Sequence, residues 1–142
     1  MFTGRYYHNL ETKGRLAIPT SFRAELKSGI ITGGLDGCLF LFPELYWQKL
    51  SKKLASLPLT QLAARQMVRL MVQSAVPLEL DSQGRTLIPS YLLEQAHLKK
   101  QVVIAGALTR VELWDKDLYH QHLDLIAQEI SKPDAAINNL GI

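Results

Sequence analysis

Arg15 and Arg85 each follow a glycine, and each stands four residues after an acid, Glu11 in the first case and Asp81 in the second. Arginine presents a planar fork of donors suited to phosphate oxygens or to the edge of guanine, a geometry that lysine does not reproduce. An acid on the opposite arm of a tight turn is close enough to pair with that fork and fix its direction. The spacing therefore predicts two ion pairs, Glu11–Arg15 and Asp81–Arg85, each at the base of a glycine turn. Two readings fit the spacing equally well. One is a rigid reading head for a polyanion; the other is a pair of interior salt bridges that stabilise the fold. The surroundings of Asp81 and Arg85 are not basic, which favours the structural reading for the second pair.

The two pairs belong to a repeat. Glu11-Thr12-Lys13-Gly14-Arg15-Leu16-Ala17-Ile18-Pro19 returns seventy residues later as Asp81-Ser82-Gln83-Gly84-Arg85-Thr86-Leu87-Ile88-Pro89. A fixed period of this kind sets the unit of the fold. Gly34 and Gly106, Leu41 and Leu113, and Phe42 and Trp114 continue the match at an offset of seventy-two, so two residues are inserted near Lys99-Lys100. Charge is distributed unequally over the copies. Residues 1–27 hold five basic side chains (Arg5, Lys13, Arg15, Arg23, Lys27) against Glu11 and Glu25, while the rest of the chain balances at eleven of each sign. A localised basic excess is the footprint of a nucleic-acid contact; a solvated basic face is the plainer alternative.

The elements needed to hold these loops follow from turn chemistry and periodicity. Tyr6 to Leu10 reads as a strand, Thr12-Lys13-Gly14 as a turn, and Arg15 to Ile18 as a second strand ended by Pro19. Thr20 or Ser21 then caps a short helix through Leu26. Asp36-Gly37 joins two apolar runs as a hairpin, and a helix follows from Glu44 to Leu54. A further helix is signalled from Thr60 to Ala75, with apolar positions on more than one face. Repeat two runs the same programme: strands Val76–Leu80 and Arg85–Ile88, a helix from Ser90 to Leu98, two later strands, and a helix from Lys116. The tail from Pro133 is expected to fray. The domain plan is thus 5–47 for the first repeat, 48–75 for connecting helices, 76–119 for the second repeat and 120–142 for a terminal helix and tail.

With 142 residues, 47% of them apolar, the chain has enough material for one real core. No apolar run approaches the ~20 residues of a membrane span, and the N-terminus lacks the pattern of a secretory signal. One cysteine, Cys38, excludes an internal disulfide. A cytoplasmic protein is the resulting expectation.

The opening Met1-Phe2-x-Gly4-x-Tyr6, the Glu11-to-Pro19 block with Phe22-Arg23, and the Asp81-to-Pro89 block together resemble the MraZ family. That family consists of bacterial transcriptional regulators of the division and cell-wall gene cluster, built from two SpoVT-AbrB-type repeats. The resemblance covers nearly the whole chain. It implies an α+β fold in which two tandem swapped-hairpin β units form one barrel-like core with flanking helices. It also implies a ring-shaped homo-oligomer, associated with the nucleoid, that binds short direct repeats in the promoter of its own operon as a repressor. No cofactor, metal, small-molecule substrate or membrane contact is implied. Carried over by position, the DNA-contacting arginine is Arg15, beside Gly14, with Glu11 as the acid that orients it. The family's usual residue there is aspartate, so Glu11 departs by one methylene. Lys13, Arg5 and Arg23 occupy the basic positions around Arg15. Asp81, Gln83, Gly84 and Arg85 form the second motif, less cationic because Gln83 replaces the lysine.

Other classes fit less well. Cys38 lies in an apolar strand and reads as a small core residue. His120 and His122 are two apart in a helix, on different faces, which does not suit a metal site; His8 and His97 lack matching partners. Gly33-Gly34 lacks the rest of a phosphate-cradling loop. An antitoxin-type module of the same fold carries one repeat and a disordered arm, whereas two repeats fill this chain. Phe40, Phe42, Met67, Leu70, Met71 and Trp114 exceed what a small barrel needs and suggest an association surface, with core packing the commoner use of any one.

Overall fold

The computed structural model describes residues 1–142. In chain order the elements are β1 (Arg5–Asn9), β2 (Arg15–Ala17), α1 (Thr20–Leu26), β3 (Ile30–Gly33), β4 (Leu39–Phe42), α2 (Glu44–Ala55), α3 (Leu62–Met71), β5 (Val76–Pro77), β6 (Arg85–Leu87), α4 (Ser90–Gln95), β7 (Gln101–Gly106), β8 (Val111–Asp115) and α5 (Lys116–Ile130). Six strands form one sheet in the order β1-β7-β8-β4-β3-β5, and β2 with β6 forms a separate two-stranded ribbon. Every pairing is antiparallel.

The repeats interleave. Hairpins β3–β4 and β7–β8 each come from one repeat and join through β4 and β8. The leading strand of each repeat crosses to the other's hairpin, so β1 lies on β7 and β5 lies on β3. The sheet ends at β1 on one side and β5 on the other and is not closed, unlike the expected barrel-like core. The reason is local. β5 is an edge strand, and Pro77 has no amide hydrogen with which to add a further strand there. Beyond Pro77 the strand expected over Val76–Leu80 continues as one bond from the Leu78 amide to the Gly29 carbonyl and a bridge between Leu80 and Thr86.

Side chains alternate across the sheet with the period of two that a strand imposes. Leu39, Leu41, Val102, Ile104 and Leu113 face one side, where Leu16, Ile18, Phe22, Leu26, Ile88 and Leu92 bury them under the ribbon, α1 and α4. Phe40, Phe42, Val103, Ala105 and Trp114 face the other, under α2, α3 and Tyr119 of α5. The expected association surface is corrected on this point. Phe40, Phe42, Met71 and Trp114 are buried, and Met67 and Leu70 pack against them, because the second face of the sheet must be covered. Apolar side chains that remain exposed are different ones, among them Leu45, Leu59 and Leu62 near α2 and α3, and Leu125 and Ile126 on α5.

The hairpin turn contains Asp36 and Gly37 at φ of 63° and 88°, a conformation open to Asp-Gly. Helix starts differ from expectation. Pro19 and Pro89 occupy the cap positions of α1 and α4, and neither hydroxyl caps them. Proline's fixed φ already suits helix entry. Gln61 rather than Thr60 precedes α3. Asp115 caps α5 through its Oδ2, which accepts from the Leu118 amide. In the tail, Ala136–Asn139 forms a single 3-10 turn and Ala135 is buried.

Candidate nucleic-acid interface

The two Gly-Arg motifs meet on the ribbon. Arg15 pairs with Leu87, Leu16 with Thr86 and Ala17 with Arg85, so a local two-fold relates the copies. The bonds at each end of the ribbon match: the Ile18 amide donates to the Gly84 carbonyl and the Ile88 amide to the Gly14 carbonyl, both at 2.9 Å. Alternation sends Leu16 and Thr86 inward, at 0% and 1% exposure, and leaves Arg15 and Leu87 outward. Arg15 and Arg85 are diagonal neighbours on the outward face, a separation of about 7–8 Å between backbones. Both line one groove of about 450 Å³ with Glu79, Asp81 and Thr86.

Each loop closes by the same backbone bonds. The Glu11 amide donates to the Arg15 carbonyl at 2.8 Å and the Asp81 amide to the Arg85 carbonyl at 2.9 Å. The side chains then diverge. Asp81 Oδ1 accepts from the amides of Gln83 and Arg85, and its Oδ2 accepts from Arg85 Nε at 2.9 Å. The Glu11 side chain is one methylene longer and makes no hydrogen bond within its own loop. Its Oε2 instead reaches Arg85 Nη1 at 3.0 Å. The predicted Asp81–Arg85 pair is therefore present, whereas the predicted Glu11–Arg15 pair is corrected: Glu11 crosses to the other repeat. Arg85 is half-buried, and its hydrogen bonds to the Asp81 and Glu11 carboxylates raise its affinity for its proton. Arg15 is exposed and makes no ion pair.

Lys13 sits at the tip of the first loop with φ of 67°, next to Gly14 at 82°, so the chain takes the left-handed region twice in succession. For lysine this conformation is uncommon and strained. The strain falls only on the loop that carries the free arginine; Gln83 does not share it. Arg23 is half-buried, donating from Nε to the Ile18 carbonyl at 2.8 Å and lying against Gly84, so it braces the second loop rather than surrounding Arg15. Leu93, its counterpart seventy residues on, lies against Gly14 in the same way. The sequence contained that pairing in the shared offset, but a leucine matched to an arginine gave no reason to look. Arg5 sits at the far end of β1 from the loop, with its guanidinium 5.7 Å from the Tyr119 ring centre. The structure thus gathers Lys13, Gly14, Arg15, Glu11, Asp81, Gln83, Gly84 and Arg85 and leaves Arg5 apart. Cys38 is buried against the second core, and burial pushes its thiol well above the ordinary range. His120 stacks on Tyr7 while His122 packs on Trp114.

The Arg85 and Gln83 amides, with the Arg85 guanidinium, hold the Asp81 carboxyl below the usual carboxylate range. A depressed carboxyl stabilises the fold above its unfolded value of about 3.9, and that contribution disappears as pH falls through the folded value. Stability should therefore drop below about pH 4 partly through this loop, and Asp81→Asn should flatten that part of the curve. Urea midpoints measured from neutral pH downward for both proteins check it; parallel curves would show that Asp81 plays no part.

These features define a class: an α+β protein of two interleaved repeats that sets matched arginine loops side by side on one ribbon. A family model for the MraZ protein, described as antitoxin-like, matches the chain twice, over residues 1–70 and 71–139. The chain is 46% identical over 143 residues to the transcriptional regulator MraZ of Halothermothrix orenii, covering all of both chains. It is 46% identical over 123 residues to the protein of that name from Carboxydothermus hydrogenoformans, covering 86% of each. A third relative of that name, from Caldanaerobacter subterraneus, is 41% identical over 136 residues, covering 93% of this chain and 95% of the relative. The chain belongs to the MraZ family.

Proposed function

We propose that this protein is a sequence-specific DNA-binding transcriptional regulator that represses its own division and cell-wall operon, binding short promoter repeats as a ring of identical subunits. The observation that carries the reading is the free guanidinium of Arg15, exposed on a two-stranded ribbon beside the exposed Lys13. The DNA major groove is about 12 Å wide and admits a two-stranded β-ribbon. On this reading Arg15 reaches base edges or phosphates, and Lys13 positions the backbone. Arg85, held by Glu11 and Asp81, fixes one loop against the other. The names of the relatives, all transcriptional regulators, support the regulatory part.

One subunit presents few free cations at this site, and a protein that neutralises few phosphates binds weakly at physiological salt. Repetition around a ring raises affinity through effective concentration without any new kind of contact. The test is a mobility shift on DNA from upstream of the chain's own gene, beside a scrambled duplex, with light scattering on the free protein. Preference for the upstream DNA and a mass that is a multiple of 16.0 kDa are expected. A clean monomer, or equal binding to both duplexes, would overturn the reading.

A further inference from the structure

Three lysines that lie far from Arg15 in sequence come together beside its loop. The β1–β7 ladder ends with Asn9 opposite Gln101, and the Leu10 amide donates to the Lys100 carbonyl at 2.6 Å. Leu10 directly precedes Glu11, so residues 99 and 100 adjoin the entry to the first loop. Asp115 pairs with Val102 one step further across the sheet, which brings Lys116 to the same end. The result is a recess of about 370 Å³ lined by Asn9, Lys99, Lys100, Gln101, Asp115, Lys116 and Asp117, with no apolar side chain among them.

None of the three lysines makes an ion pair. Lys99 and Lys100 are exposed, and Lys116 Nζ lies 5.7 Å from the centre of the Tyr7 ring. Of the two acids in the recess, Asp115 is buried and engaged in capping α5, which leaves Asp117 as the exposed negative group. A polar recess with surplus, unpaired ammonium groups suits a phosphodiester, which lysine engages as a point charge. The recess adjoins the first loop along the chain: the Leu10 amide bonds to the Lys100 carbonyl, Glu11 follows, and Glu11 bonds to Arg85. The local two-fold adds a weaker counterpart. Lys27 matches Lys99 at the offset of seventy-two, while Ser28 stands where the second copy has Lys100.

We propose that Lys99, Lys100 and Lys116 form a second phosphate-binding site, which holds the DNA backbone beside the segment read by Arg15. The proposal rests on the DNA-binding reading above but assigns a different role: these lysines grip every sequence alike, while Arg15 discriminates.

The test uses the full chain carrying Lys99→Gln with Lys100→Gln, and a charge-matched control carrying Lys52→Gln with Lys53→Gln on α2. Binding to the upstream duplex and to a scrambled duplex is measured between about 50 and 200 mM salt. The recess variant should lower the log–log salt slope by about 0.9 per lysine for each engaged subunit, with the preference for upstream DNA unchanged. The control should keep the wild-type slope. An unchanged slope in the recess variant overturns the proposal, and so does an equal loss in the control, which would mark a bulk-charge effect. Inorganic phosphate bound through these lysines, with no fall in the DNA salt slope of the variant, would also overturn it, in favour of a free-anion site. Arg15→Ala run in parallel separates the two claims. If it loses the preference while the recess variant matches wild type, the DNA reading stands and the lysine site falls. Absence of any DNA binding by the wild type removes both.

Discussion

Arg15→Ala is expected to eliminate the preference for upstream DNA while leaving the subunit assembly and the melting temperature unchanged. Arg15 makes no ion pair and lies exposed on the ribbon, so its removal takes nothing from the fold. One good bidentate contact to a base is worth about 1–3 kcal/mol of discrimination, roughly tenfold per 1.4 kcal/mol. That loss multiplies when several subunits bind one promoter together. Arg85→Ala should behave differently. It releases Glu11 and Asp81 from the bridge between loops, and the deficit should appear in stability as well as in binding. Mobility shifts and thermal melts on the two variants check the contrast. Equal effects would mean that the free and the held arginine are interchangeable.

The second large effect is structural. Gly14→Ala should cost about 3 kcal/mol and lower the melting temperature by roughly 10 °C. Two causes combine. Gly14 has φ of 82°, where a side chain strains the backbone, and a Cβ there would stand 2.8 Å from the Ile88 carbonyl oxygen and 3.2 Å from Leu93. Relief would require moving the chain at the end of β6, where the Ile88 amide is bonded to the Gly14 carbonyl. Gly4→Ala separates the causes, since Gly4 has φ of 80° with nothing within 4 Å of its Cβ position. It should lose only the conformational part, about 1–2 kcal/mol. If the two variants melt together in a thermal scan, close packing of the loop on the ribbon contributes nothing.

Much of this architecture was visible in the residues because its signals are local. The repeat at a spacing of seventy, the turns at Gly14 and Gly84, and the Asp36-Gly37 hairpin all depend on neighbours in the chain. Asp81 and Arg85 found each other for the same reason. What the residues did not disclose lies between the repeats. Glu11 reaches Arg85 because β2 and β6 set the loops side by side, and no spacing within one copy encodes that. The same pairing turns Arg23 toward Gly84 and away from the positive face it was expected to join. Phe40, Phe42 and Trp114 resembled a surplus only while the sheet was imagined as a closed barrel with one interior. An open sheet has two faces to cover, and they cover the second.

The departure at position 11 has a consequence for the site. Aspartate in the second loop is short enough to hold its own turn through two amides, and that occupies it locally. Glutamate in the first loop leaves that work to the backbone, and Arg15 gains no internal partner. The copy with the longer acid is thus the copy with the available arginine.

The most direct measurement is a footprint on DNA upstream of the chain's own gene, with wild type and Arg15→Ala side by side. Protection should appear as short patches at a regular interval with the wild type and vanish with the variant at the same protein concentration. Identical protection by both proteins would contradict the assignment of Arg15 as the group that reads DNA.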